Sequence, residues 1–136
     1  YIITSSGSLI SQREIGSNTA GYMHGLRSAM RENPDIIYVG ELRDEETAML
    51  MLSAGETGHL VFASLHAIYT AGAAARIVEM FPEHRGKEVA RQLSLVTEVI
   101  VCQKLIPRKE GSGRVVAMEI LRNTRGISNI LRVGKF

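Results

Sequence analysis

The 136-residue chain is long enough for one domain with a real core and too short for two. Its 45% hydrophobic residues and mean hydropathy of +0.04 exclude a disordered chain, and a net charge of +2 gives no electrostatic case for a nucleic-acid or membrane-surface partner. The lone Cys102 excludes an internal disulfide and a cysteine zinc site, which points to a reducing compartment, and no apolar run approaches the roughly 18–20 residues that span a bilayer.

No signal-peptide pattern stands at the start. The chain begins at Tyr1, in mid-strand by pattern and without an initiator Met, and is expected to be part of a longer protein. Tyr1-Ile2-Ile3 and Leu9-Ile10 flank the turn-rich Ser5-Ser6-Gly7-Ser8, which predicts a hairpin or two short strands over residues 1–17. Asn18 or Thr19 is the expected cap of a helix from Gly21 to Glu32, with Met23, Leu26 and Met30 on one stripe. Asn33-Pro34 ends it. A buried strand follows over Asp35–Gly40. Asp44 then starts a helix through about Gly55, acidic in its first turn and apolar almost all round, so covered on two sides.

After Gly58 a second apolar run, Leu60–Leu65, ends at His66. A helix is predicted from Thr70 to Phe81, broken by Pro82, and another over roughly Glu83–Thr97. Val99–Ile106 and Val115–Leu121 flank Glu110-Gly111-Ser112-Gly113, a hairpin signal, and Asn123-Thr124 caps a short terminal helix. Strands alternating with helices and then a hairpin predict an α/β core finished by an antiparallel edge. No internal repeat or low-complexity tract occurs.

The chemistry-bearing residues fall at the strand tips. In open α/β sheets ligands sit at the carboxyl ends of strands, and Glu41 and His66 both stand at such ends. A carboxylate there holds a Mg²⁺-bound water or orients the attacking one; the bland reading is a solvated acid or a partner for Arg43. His66 suits a γ-phosphate contact or proton shuttle, against the commoner fate of a satisfied loop histidine. His59 and His66, seven apart, fall on opposite faces of a regular strand, which argues against a shared zinc. Arg13, Arg27, Arg31, Arg43 and Arg76 are candidates to stabilise phosphate across a subunit boundary, with surface solvation the default. Met49 and Met51 read as core filling, and Cys102 as an inert buried thiol. No Gly-x-x-x-x-Gly-Lys-Ser/Thr phosphate loop occurs.

Ser11-Gln12-Arg13-Glu14, the run Leu26–Glu32, Asp35–Asp44, Glu56–His66 and Phe81-Pro82 together resemble the C-terminal part of the secretion-superfamily ATPases. Within that superfamily the chain is most similar to the type IV pilus retraction motors behind twitching motility, over essentially its whole length. The resemblance implies part of a RecA-like P-loop ATPase core, α/β, with a mainly parallel sheet flanked by helices and a C-terminal β-hairpin and short helix. It implies a homohexamer with ATP between neighbours and Mg²⁺ on the phosphates, in the cytoplasm against the inner-membrane pilus machinery, with no membrane span and no nucleic acid. Ile36–Glu41 matches the Walker B stretch, with Gly40 where most P-loop enzymes carry aspartate and Glu41 as the essential acid, meeting Mg²⁺ through water. Gly58–His66 matches the His box, so Glu41 and His66 inherit catalytic roles, and Gly40, Arg43 and His59 nucleotide-binding ones.

Three departures matter. The phosphate loop, the acidic box and the N-terminal domain of such motors lie outside these residues, so the 136 residues alone are expected to hydrolyse negligible ATP. Gly126–Arg132 only partly keeps the terminal helix pattern of retraction motors. Ala67 stands where threonine is usual. The alternatives are a pilus-assembly or type II secretion ATPase, whose four-cysteine zinc module Cys102 alone cannot supply, a DNA-translocating relative, and a non-catalytic docking piece.

Overall fold

A computed structural model describes residues 3–136; Tyr1 and Ile2, the start of the expected first strand, lie outside the described residues. From Ile3 to Glu14 no strand forms, and the hairpin expected over 1–17 is replaced, among the described residues, by irregular coil with a bend over Ser6–Ser8 and an isolated bridge between Ile15 and Thr19. Ile3, Leu9 and Ile10 are exposed, so no buried face fixes a strand register there. The Gln12 side chain takes the place of a strand neighbour: its oxygen accepts from the Ile3 N–H (3.0 Å) and its NH₂ donates to the Ile3 carbonyl (2.7 Å).

Helix α1 (Tyr22–Met30) buries Leu26. Its N-cap is Gly21, not Asn18 or Thr19. Both expected caps are engaged in the preceding turn, Asn18 accepting from the Glu14 N–H and Thr19 donating to the Gly21 carbonyl. Beyond the helix Asn33 takes φ +51, a left-handed conformation that asparagine tolerates and that stops a helix.

Strand β1 (Ile36–Val39) and strand β2 (Leu60–Ala63) pair in parallel, with Ile36 opposite Leu60 and Val39 opposite Ala63. Ile37 and Val39 point into the core, whereas Ile36, Tyr38, Leu60 and Phe62 form an exposed apolar outer face. The crossover is α2 (Glu45–Glu56), capped by Asp44, whose carboxylate accepts from the Thr47 N–H at 2.8 Å. Thr47, Ala48, Leu52 and Ala54 are buried on it, whereas Met49, expected to fill the core, is exposed beside Arg85.

Gly58 (φ +93) closes α2: its N–H meets the Gly55 carbonyl, and the His59 N–H meets Ala54. That is the paired bonding of a Schellman C-cap, in which only glycine takes the positive φ without strain.

Helix α3 (Thr70–Glu79) buries Ala73, Ala74 and Ile77, and Phe81 just beyond it is also buried. A 3-10 turn over Glu83–Arg85 leads into α4 (Gly86–Val96), so the helix expected from Glu83 starts a turn late. Strands β3 (Val99–Pro107) and β4 (Arg114–Arg122) form the expected antiparallel hairpin, and α5 (Arg125–Arg132) is capped by the Thr124 hydroxyl. The expected single sheet with an antiparallel edge is, among the described residues, two separate pairs, β1–β2 and β3–β4. Leu26, Ile37, Val39, Leu42, Leu52, Ile77, Phe81, Val89, Leu93 and Leu131 make one core between the parallel pair and the helices. Here α2 and α4 approach closely: a Cβ at Gly55 would stand 3.0 Å from the Val96 Cβ.

A candidate active site at two strand tips

The chain bends at Gly40 as it leaves β1, which breaks the strand's alternation, so that after Val39 the next residue to turn inward is Leu42 and not Glu41. Leu42 turns inward and is 4% exposed, while Glu41 and Arg43 share the outer side. The tip is fastened to its neighbour: the Leu42 N–H donates to the Ser64 carbonyl at 2.8 Å, and the Ser64 hydroxyl donates to the Gly40 carbonyl. These bonds carry the parallel pairing past both strands. They bring His66 to Glu41, Nε2 to Oε1 at 3.2 Å, while Arg43 Nη2 pairs with Glu41 Oε2.

The Glu41 carboxylate is thus flanked by a guanidinium and an imidazole, its side chain 24% exposed against 67% for Arg43 and 85% for His66. The hydrogen bond from Arg43 holds the Glu41 carboxyl below the usual carboxylate range, partly opposed by its own desolvation, with the charges of Arg43 and His66 adding to the lowering. Arg43 is raised in turn, chiefly by that hydrogen bond. Burial, aided by the charge of Glu119, pushes the Cys102 thiol up, as suits an unreactive sulfur.

An ionised carboxylate beside two nitrogen donors at an open strand end is equipped to accept a proton from water or to orient it. A single carboxylate also fits Mg²⁺ held through water, because that ion keeps several waters and takes one or two carboxylates plus substrate phosphates. Among the described residues, no group of three or more His, Cys, Asp or Glu side chains could hold a metal by itself. A Cβ at Gly40 would meet nothing within 4 Å, so close packing does not demand glycine there.

His59 is not brought to this point. It lies at the opposite end of β2, where its Nδ1 stands 3.2 Å from the Ala54 carbonyl and 3.1 Å from the Thr57 hydroxyl, against the C-terminus of α2. Arg13 is tied to Glu32 and to the Gly25 carbonyl, whereas Arg27, Arg31 and Arg76 are exposed and make no ion pair among the described residues.

Sequence reasoning missed Ser64, which locks the two tips together, and Arg85, whose Nη1 pairs with Glu45 in the first turn of α2 at 3.0 Å. Ser64 carries a weak signal as the one hydroxyl in an apolar run. Arg85 carries none, since its partner is 40 residues away.

The family model for "Type II/IV secretion system protein" matches residues 10–130. The chain is 45% identical to the uncharacterized protein YggR of Escherichia coli K12 over 135 residues, which is 99% of this chain and 41% of that protein. It is 44% identical to the type IV pilus retractation ATPase PilT of Pseudomonas aeruginosa over 135 residues, 99% of this chain and 39% of that one. The crystal structure of the pilus retraction motor PilT with bound ADP superposes with a TM-score of 0.84 at 43% identity, covering 90% of this chain and 35% of that chain. The chain therefore spans about two-fifths of the length of these curated relatives.

Proposed function

The chain belongs to the type II/IV secretion system protein family, and on that premise we propose that it is the C-terminal part of an ATPase that drives type IV pilus retraction and twitching motility. In this reading the 136 residues are one portion of a RecA-like P-loop core. The phosphate loop is supplied from outside them, and ATP binds between neighbouring subunits of a homohexamer on the cytoplasmic side of the inner-membrane pilus machine. Similarity over nearly the whole chain to a pilus retractation ATPase, and to a motor structure holding ADP, supports the nucleotide and the motor class.

One observation carries the site: the 3.2 Å contact between His66 and Glu41 at the ends of adjacent parallel strands. Glu41 orients the attacking water and takes up its proton. His66, beside it and open to solvent, contacts the terminal phosphate and reports its presence to the strap that follows β2. Arg43 leaves Glu41 for a phosphate oxygen when the site fills, which frees one carboxylate oxygen for water. Gly40 leaves room beside that water, while His59, held against the end of α2 at the opposite end of β2, takes no part at this site. Mg²⁺, when bound, neutralises phosphate charge, and Glu41 would hold it through a water.

The test is Glu41→Gln in the full-length protein. Hexamer and ATP affinity should persist while turnover falls by roughly 10²–10⁴, the usual contribution of a positioned base. Wild-type turnover in that variant removes Glu41 from the mechanism.

A further inference from the structure

Helix α3 begins four residues after His66 and has no cap of its own. Tyr69 holds the N-cap position and makes no side-chain capping bond, whereas α2 and α5 are closed by the Asp44 and Thr124 side chains. The strap between, Ala67-Ile68-Tyr69, is mostly exposed, Ile68 at 89% and Tyr69 at 55%, with the Tyr69 ring lying over Gly72 of its own helix. Its far end is held from another element. Glu119, in β4, accepts from the Thr70 hydroxyl at 2.6 Å and from the Thr70 N–H at 3.3 Å, across 49 residues of sequence. Thr70 itself is buried.

We propose that Glu119 is a positioning residue for His66, anchoring the start of α3 so that the strap presents the imidazole to Glu41. The carboxylate satisfies an orphan donor of the helix and lies at the end where the dipole favours negative charge. Four residues of chain span little more than about 14 Å when extended. A fixed Thr70 therefore limits where His66 can go, and loosening the start of α3 widens that range. Through this contact the C-terminal hairpin, which shares no hydrogen bond with the β1–β2 pair, reaches the candidate site. The inference rests on the reading of His66 given above.

The test uses the full-length protein with ATP. Glu119→Ala and Thr70→Val should each lower kcat per nucleotide-binding site about tenfold, within the effect of displacing a reacting group by a fraction of an ångström. KM for ATP should stay within about twofold, the double variant should be no worse than either single one, and Glu119→Gln, whose amide oxygen still accepts, should recover most of the rate. A merely structural contact would reduce the folded fraction and leave kcat per site unchanged. Hydrogen exchange supplies a readout that needs no turnover: Glu119→Ala should quicken exchange at Thr70 and the first turn of α3 and leave α2 untouched.

Unchanged kcat per site, additive losses, or exchange that rises throughout the chain overturns the role of Glu119. His66→Ala separates the two levels. If it lowers turnover while Glu119→Ala does not, only Glu119 is misassigned; if it leaves turnover intact, the reading of His66 fails and takes the positioning role with it.

Discussion

The two strand tips differ in how they are held. The tip of β1 is fixed within a few residues of Glu41, by Ser64 on Gly40 and Leu42, by the Asp44 cap, and by Arg85 on Glu45. Ser64 ties the tip of β2 into the same bonds, but beyond it the chain runs into an exposed strap whose far end is anchored by Glu119 of the hairpin. Catalysis needs the proton acceptor in one place, because positioning supplies most of the acceleration in phosphoryl transfer. A group that senses whether phosphate is present has to move. In the proposed mechanism, a closely braced segment at Glu41 and an exposed strap after His66 suit those two tasks.

The widest gap between the tips should appear in turnover. His66→Ala in the full-length protein should slow ATP hydrolysis about ten- to a hundredfold and weaken nucleotide binding much less, measured as kcat against Kd. A loss confined to affinity would make the second tip a binding element and erase the contrast.

Next in size is the local tether. Asp44→Ala removes the carboxylate that caps α2 and should destabilise the fold by about 1 kcal/mol in denaturant titration. No change would mean that the first tip depends on its packing and not on its caps.

The smallest effect sharpens the electrostatics. Arg43 lowers the Glu41 pKa, so Glu41 contributes stability above its unfolded pKa, which is lost as pH falls through the lower folded value. In Arg43→Gln that folded value rises, and the acid limb of the kcat/KM profile should move to higher pH. An unmoved limb would show that the ionisation of Glu41 does not set it.

How much of this could be read from sequence follows the range of each interaction. The apolar runs of β1, β2 and the hairpin, the caps at Asp44 and Thr124, and the meeting of Glu41 with His66 were legible, because each rests on residues close in sequence or on the rule that strand ends converge. The N-terminal hairpin was not. Its apolar residues alternate plausibly, yet a strand forms only where a partner edge and a buried face exist, and Ile3, Leu9 and Ile10 have neither among the described residues. The exposed face of Ile36, Tyr38, Leu60 and Phe62 shows the same dependence from the other side, since parallel strands are ordinarily covered on both faces. Asn18 and Thr19 looked like caps by type, but competing turn bonds claimed their side chains. The position of His59 was hidden by the Schellman turn, which places it against α2. Glu119 and Arg85 were invisible for a simpler reason: no local pattern announces a partner 40 or more residues distant.

Leu42 gives the neighbouring acid its reference frame. Sliding β1 by one residue would draw this leucine out into water, a penalty of about 1.5–3 kcal/mol before any bond is broken. In the proposed mechanism Glu41 is therefore the stationary jaw of the pair, and the opening and shutting falls to the histidine's side.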